Sequence, residues 1–467
     1  MYLRILFIIA IFGAFSTTLA DDVSEKHFSP INSLTESLPQ KSKAQINLII
    51  DTTTTLSQTN SSAQHTSLST EFSSSSVVLG STNTTITANS SAAVPESAAS
   101  SDSAKSAEKN THAKGKPNPY NLPDELMPLW NSMTMRQKAA QMIMVFLTTS
   151  QFVIENEIGG VLITGKHFRE VDNYLKKIAE IDTSLRIPLL IATDQEGGIV
   201  NRLASIHERW HYLPGAREMR HMDTAKIHST AQSIGHALHE YKINMNLAPV
   251  LDPSKDHSNK NSFMEESRRS WGNDTSNAYK VRTFVNGMKE NRVVCVSKHY
   301  PGYDSWTNSD LQIAVSASPK EKIEKNAEFF TTLANDIPAT MMSSVHFLRI
   351  SDRPAVFDAN IVKMARRKHP DLVVITDDLW GTSLRVWASG KTQIPPRKSY
   401  PDKDFKRLVT AIIDAGNDVL MISFTSKAKD MLDIMMKLSE KSSKYKRRIE
   451  ESAARILKLK YKMGILR

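Results

Sequence analysis

Eight short apolar runs recur along the second two thirds of the chain: "QMIMVFLTT", "GGVLITG", "IPLLIAT", "INMNLAPVLD", "RVVCVS", "ATMMSSV", "DLVVIT" and "NDVLMIS". Their apolar character is continuous rather than alternating, which is the pattern of parallel strands covered on both faces. Helix-like stretches such as "EVDNYLKKIAEIDTS" and "DTAKIHSTAQSIGHALHEYK" separate them. Strand and helix in alternation predict a parallel sheet. Eight such units within residues 119–467 predict a single α/β domain, a (β/α)8 TIM-type barrel. A doubly wound open sheet is the competing architecture, but no Gly-rich dinucleotide loop follows the first strand.

The pattern is absent upstream. Residues 21–118 are Ser/Thr-rich, as in "DTTTTLSQTNSSAQHTSLSTEFSSSS", with few aromatics and no sustained period. Such a segment buries too little apolar surface to offset its chain entropy, so it is expected to be a disordered spacer. Its Asn-x-Ser/Thr sites at Asn60, Asn83 and Asn89 matter only in a host that glycosylates them. Residues 1–20, "MYLRILFIIAIFGAFSTTLA", combine Arg4, an apolar run from Ile5 to Phe15 and small residues before Ala20. They are expected to form a signal peptide cleaved after Ala20. The run is shorter than the roughly 20 residues that span a bilayer. Membrane contact is therefore expected only through this segment, if it stays uncleaved, and the location is secreted or periplasmic. No Cys follows the run, which excludes a lipid-anchored lipoprotein.

Charge and cysteine usage narrow the chemistry. The net charge is +10, from 59 Lys and Arg against 49 Asp and Glu. The basic excess near "KLSEKSSKYKRR" reads as a solvated helix face. No zinc-finger pattern, aromatic RNA-binding motif or heptad run accompanies it, so nucleic acid is excluded as a partner. The single Cys, Cys295, rules out an internal disulfide framework and a Cys-based zinc site. It lies inside an apolar strand and reads as a buried, inert thiol. No H-x-H or H-E-x-x-H spacing supports a metal, and no cofactor is expected.

In a barrel of this kind, chemistry sits on the loops at the carboxyl ends of the strands. There the third strand ends in Asp194 and Glu196, and the fourth in Asp252, with Arg268 and Arg269 beyond. The fifth ends in Lys298 and His299, the sixth near Ser343, Ser344 and His346, and the seventh in Asp377 and Asp378. Charged groups in such places are costly to desolvate unless paired or used, and their recurrence at one end of successive strands points to a site. A rigidly held Asp facing a sugar ring is the equipment of a retaining glycosidase, with a proton donor at the leaving oxygen. Asp194, Lys298, His299 and the arginines supply hydrogen bonds to hydroxyl and acetamido groups.

Five stretches, taken together and in order, resemble the single-domain β-N-acetylhexosaminidases of glycoside hydrolase family 3. They are "DQEGGIVNR" (194–202), "NLAPVLD" (246–252), "RSWG" (269–272), "KHYPG" (298–302) and "TDDL" (376–379). The closing helix "RIEESAARILKLKYKMGIL" resembles the family's as well. The resemblance covers essentially residues 120–467 and implies release of terminal β-linked N-acetylglucosamine from cell-wall saccharides by a retaining mechanism. It implies that Asp377 is the nucleophile, and that Asp194, Arg202, Arg269, Lys298 and His299 bind the ring. Glu196 is expected to brace its loop, and Asp378 to be a structural hydrogen-bonder.

The chain departs from the family in one place. Where the family carries Asp-x-His after "KHFPG", the loop here reads "YDSWTNSDLQ". With a one-residue insertion, Asp310 takes the Asp position and Gln312 that of the acid/base His. A Gln side chain cannot transfer a proton near neutral pH, and loss of a positioned acid or base typically costs ~10²–10⁴ in rate. Asp310 or Asp304 acting directly, His346 substituting, or a wall-binding pseudoenzyme are the three resolutions. Asp310 is taken as the catalytic partner of Asp377. A β-glucosidase of the same family is a further rival, but those usually add a second domain carrying the acid.

Overall fold

The computed structural model describes residues 118–391 and 400–466. The expected signal peptide, and the expected spacer up to residue 117, lie outside the described residues. Ten strands follow in order: β1 (Ile143–Phe146), β2 (Gly160–Ile163), β3 (Leu190–Thr193), β4 (Met245–Asn246), β5 (Val294–Tyr300), β6 (Val315–Ser316), β7 (Ala339–Met342), β8 (His346–Phe347), β9 (Val373–Ile375) and β10 (Leu420–Ile422). Eight of them form one parallel sheet in the order β10-β1-β2-β3-β4-β5-β7-β9. A parallel bridge between Ile375 and Val419 joins the two ends and closes the ring. The Thr376 amide donates across the same seam to the Val419 carbonyl at 2.9 Å. Each apolar run of the sequence supplies one barrel strand. β6 and β8 form a separate two-residue parallel ladder, too short to leave a period in the sequence.

Continuous apolar strands are explained by burial on both faces. Every residue of β2 and β3 is buried, one face toward the barrel interior and the other under helices. The covering helices are amphipathic. Thr224–Glu240 buries Ile227, Ala231, Ile234 and Leu238, a helical stripe, and the Asp223 carboxylate caps its start by accepting the Lys226 amide. Leu122, Leu126 and Trp130 pack on Ala453, Ala454 and Leu457 of the last helix, Ser443–Lys462.

A charged residue is also buried far from the carboxyl ends. Lys460 is fully buried, and its ammonium nitrogen donates to Gln141 Oε1 at 2.7 Å and to the Gly159 carbonyl at 3.0 Å. Burial without a counter-charge pushes its pKa down to about 7. The unfolded chain holds the proton up to about 10.4, so between about pH 7 and 10.4 it binds more protons than the native state and stability rises with pH. In denaturant titrations, the stability of the wild type relative to Lys460→Met is expected to rise by about 1.4 kcal/mol per pH unit across that window and to be flat below it. A flat difference throughout would show that Lys460 stays protonated in the native state.

Candidate active site

At the carboxyl ends of the strands lies a cavity of about 250 Å³. Its lining includes Asp194, Arg202, Arg269, Lys298, His299, Asp310 and Asp377, so the structure brings all seven residues singled out in the sequence to one place. The volume falls just below the ~300–1,000 Å³ of common small-molecule pockets and suits one sugar ring rather than a chain. A larger hollow, about 720 Å³, lies on the outer helices among Lys403, Arg407, Asp358 and Asp414. It has no group from a strand end.

One wall is an ion network. After β3 the chain turns on Gly197, at φ +83°, where an added Cβ would stand 2.0 Å from the Pro214 carbonyl oxygen. Only glycine fits there. The turn presents Asp194 and Glu196 to the cations opposite. Lys298 Nζ lies 2.8 Å from Asp194 Oδ1 and 2.7 Å from Glu196 Oε1. Arg269 donates to Glu196 through Nε at 2.8 Å and Nη2 at 2.9 Å. Arg202 stands 3.7 Å from Asp194. Burial alone would raise both acids, but Lys298 with Arg202, and Arg269 with Lys298, outweigh it and hold Asp194 and Glu196 below the usual carboxylate range. Lys298 is held above its ordinary value, because Asp194 and Glu196 outweigh its desolvation. The result is a rigid comb of donors and acceptors, with Glu196 at the back and Asp194 at the cavity surface.

The adjoining wall comes from β5. Successive side chains of a regular strand point to opposite faces, yet Lys298 and His299 both line the cavity. The register against β7 slips between Lys298 and Tyr300, so the regular alternation is broken there, and the Lys298–His299 peptide is cis. His299 is then fixed from behind. Its Nδ1–H donates to Asp252 Oδ2 at 2.7 Å, while the amides of His299 and Tyr303 donate to Oδ1 at 2.8 and 2.7 Å. Asp252 is completely buried. It sets the tautomer and leaves Nε2 as the ring's remaining polar atom. Asp252→Ala strands three buried donors. Since each unsatisfied donor costs about 1–3 kcal/mol, a loss of roughly 3 kcal/mol or more of unfolding free energy is expected in denaturant titrations. An unchanged midpoint would remove Asp252 from this role.

The third wall follows β9. The Asp377 carboxylate accepts the Asp378 amide at 2.8 Å. Burial pushes Asp377 up to about 6; His299 pulls it down and Asp310 pushes it up. Asp378 Oδ1 instead accepts the amides of Trp380 and Ser423, at 3.0 and 2.9 Å, and so ties the β9 loop to β10. Asp310 belongs to the β5 loop, which is stapled onto this segment. Its carbonyl accepts the Thr382 hydroxyl at 2.8 Å, and the Ser309 carbonyl accepts the Ser383 amide at 3.0 Å. Gln312, two residues on, is exposed and is not among the lining residues. His346 is buried with its Nε2 on the Ser351 carbonyl at 3.0 Å and lies outside the cavity lining. Asp304 is buried beneath the loop, accepting the Ser318 hydroxyl. Of the three groups weighed as proton carriers, only Asp310 reaches the cavity.

Asp252, Tyr303 and Asn308 are parts of the site that motif reading did not assign. Asp252 carried a signal, as the carboxylate ending "NLAPVLD" on the strand beside "KHYPG"; Asn308 carried none. Cys295 is buried, and burial raises its thiol well above the usual value. Among the described residues no group of three or more His, Cys, Asp and Glu is placed to hold a metal ion. No helix among them is long and apolar enough to cross a membrane.

Residues 134–459 match the family model described as the glycosyl hydrolase family 3 N terminal domain. The chain belongs to this family. It is similar to a beta-hexosaminidase of Pseudomonas aeruginosa, 27% identical over 255 residues that cover 52% of this chain and 73% of that protein. It is also similar to a beta-hexosaminidase of Xylella fastidiosa, 24% identical over 291 residues, 60% of this chain and 80% of that one. The fold is shared with the β-N-acetylhexosaminidase from Beutenbergia cavernae, at TM-score 0.59 and 22% identity over 71% of this chain and 99% of that one. It is shared too with a family 3 β-N-acetylglucosaminidase from Paenibacillus, at TM-score 0.60 and 24% identity over 72% and 63% of the two chains.

Proposed function

We propose that this family 3 chain is a glycosidase that removes terminal β-linked N-acetylglucosamine from cell-wall-derived saccharides, outside the cytoplasm, by a retaining mechanism. The observation that carries the reading is the meeting of Asp377, Asp310, His299 and the Lys298–Asp194 pair around a cavity sized for one sugar. The hexosaminidase names of its relatives agree with it.

The chemistry runs in two displacements. An ionised Asp377 attacks the anomeric carbon as the glycosidic bond breaks, and Asp310 gives its proton to the departing oxygen. Water then attacks the glycosyl-enzyme, Asp310 takes back a proton, and Asp377 is released. Chemistry needs Asp377 ionised: burial pushes it up to about 6 with help from Asp310, and His299 opposes this by stabilising its charge. Asp194 accepts from ring hydroxyls while Lys298 and Arg202 donate to them.

Comparing aryl N-acetyl-β-glucosaminides with aryl β-glucosides, and both with natural disaccharides, tests this function. Turnover of the amino sugar supports it, and preference for glucoside points to the family's β-glucosidases. Binding of N-acetylglucosamine with no turnover of even the aryl substrate identifies a pseudoenzyme, the reading that the exposed Gln312 favours.

A further inference from the structure

Among the described residues six large hydrophobic side chains are exposed, and five lie on loops at the carboxyl ends of the barrel strands: Ile199, Tyr212, Trp306, Leu311 and Phe424. Single exposed apolar residues are ordinary, but a concentration on one face is not. Two are held in place. Trp306 lies in the β5 loop and is 66% exposed, between neighbours that are hydrogen-bonded in place. The carbonyl of neighbouring Ser305 accepts the amide of Phe263, a cavity-lining residue, at 2.9 Å. The Ser309 amide donates to the Tyr303 hydroxyl at 2.8 Å, and Thr382 clamps Asp310. Phe424 is stacked on Trp380, with ring centroids 4.3 Å apart. The Arg385 guanidinium packs on Trp380 at 4.3 Å. Ser423, next to Phe424, is bonded to Asp378.

We infer that Trp306, on the loop that carries Asp310, forms a platform for the saccharide chain that remains after the terminal sugar is removed. The inference rests on the function proposed above, and its logic is positional. The leaving oxygen must lie at the acid, Asp310. Whatever that oxygen belongs to must therefore leave the cavity past the β5 loop, which carries Trp306 four residues before the acid and Leu311 just after it. Staples to Thr382 and Ser383 bring that loop onto the segment bearing Asp377 and Trp380. The cavity holds one ring, so the next ring meets the rim. The axial C–H bonds of a β-linked pyranose share its faces, and laying such a face on an indole removes apolar area from water on both sides. A charged or peptide aglycone has no such face.

Affinities of the full chain carrying Asp377→Ala, so that nothing is cleaved, for N-acetylglucosamine and for its β-1,4-linked tetramer, by calorimetry, are the first readout. The tetramer is expected to bind more tightly than the monomer, and Trp306→Ala to reduce that advantage by about threefold to tenfold without changing monomer affinity. Trp306→Phe should keep part of it. In kinetics, Trp306→Ala should raise KM for the tetramer while leaving kcat/KM for N-acetyl-β-glucosaminyl fluoride, which has no aglycone ring, within about twofold. Equal affinity for monomer and tetramer with Trp306 present, or a Trp306→Ala loss shared by both, overturns the platform while leaving the glycosidase reading intact. If neither sugar binds and the wild type cleaves nothing, the functional reading fails and the platform falls with it.

Discussion

Replacing Asp377 with alanine is expected to abolish release of the aglycone from an N-acetyl-β-glucosaminide, on the order of 10⁴-fold or more in kcat, the scale seen when a covalent nucleophile is removed from other enzymes. The expectation follows from the position of this carboxylate. It stands after β9, where the following amide fixes one oxygen, and it is the residue of its Asp-Asp pair that interacts with His299. Asp378 has its Oδ1 occupied by two backbone amides. Asp378→Asn is expected to lower stability more than chemistry, which separates the two neighbours. Asp377→Ala removes a part-buried carboxylate that desolvation pushes up to about 6, so the variant should stay folded with a melting temperature no lower than the wild type. Folded protein with undiminished turnover would exclude Asp377 as nucleophile.

Asp310→Asn carries the second largest effect, and its signature differs by substrate. Natural disaccharides, whose leaving oxygen needs a proton, should lose about 10²–10⁴ in rate. An aryl glycoside with a good leaving group should still form the glycosyl-enzyme, which then breaks down slowly for want of a base. Azide, which needs no deprotonation, should restore its turnover and yield the β-glycosyl azide. The variant also has a pH signature. Asp310 helps push Asp377 up to about 6, so in the wild type kcat/KM should fall as pH drops through that value and the nucleophile takes a proton. Removing the Asp310 charge should move this acid limb to lower pH. Gln312→His is expected to change little, because position 312 is exposed and outside the cavity lining. An equal loss on both substrate classes, with the acid limb unmoved, would show that Asp310 holds the loop rather than transferring protons.

The barrel was legible because its strands are buried on both faces, and continuous apolar runs survive loop variation. The strand-end charges were legible for a related reason: an apolar run that ends in Asp194, Lys298 or Asp377 breaks its own pattern. What escaped depends on geometry between distant positions. The slip after Lys298 that lets adjacent residues share one cavity is a property of β5 against β7. The role of Asp252 required β4 to lie beside β5, so that one buried carboxylate meets His299 and Tyr303 together. The β6–β8 ladder is two residues long on each side, below any periodic signal. Alignment to a related loop put the departure at Gln312, which is exposed and outside the cavity lining, while the Thr382 hydroxyl on the Asp310 carbonyl holds Asp310 at the cavity.

Trapping the covalent intermediate tests the central claim most directly. The full chain is incubated with an N-acetyl-β-glucosaminyl fluoride bearing a second fluorine at C5, which slows both steps and lets the adduct accumulate, and is then quenched in acid and mapped by peptide mass. The account expects one fluorinated N-acetylhexosamine on the peptide holding residues 376–379, fragmenting to Asp377. A sugar ester on any other carboxylate, or turnover of aryl glycosides with release of the inverted anomer, would contradict it.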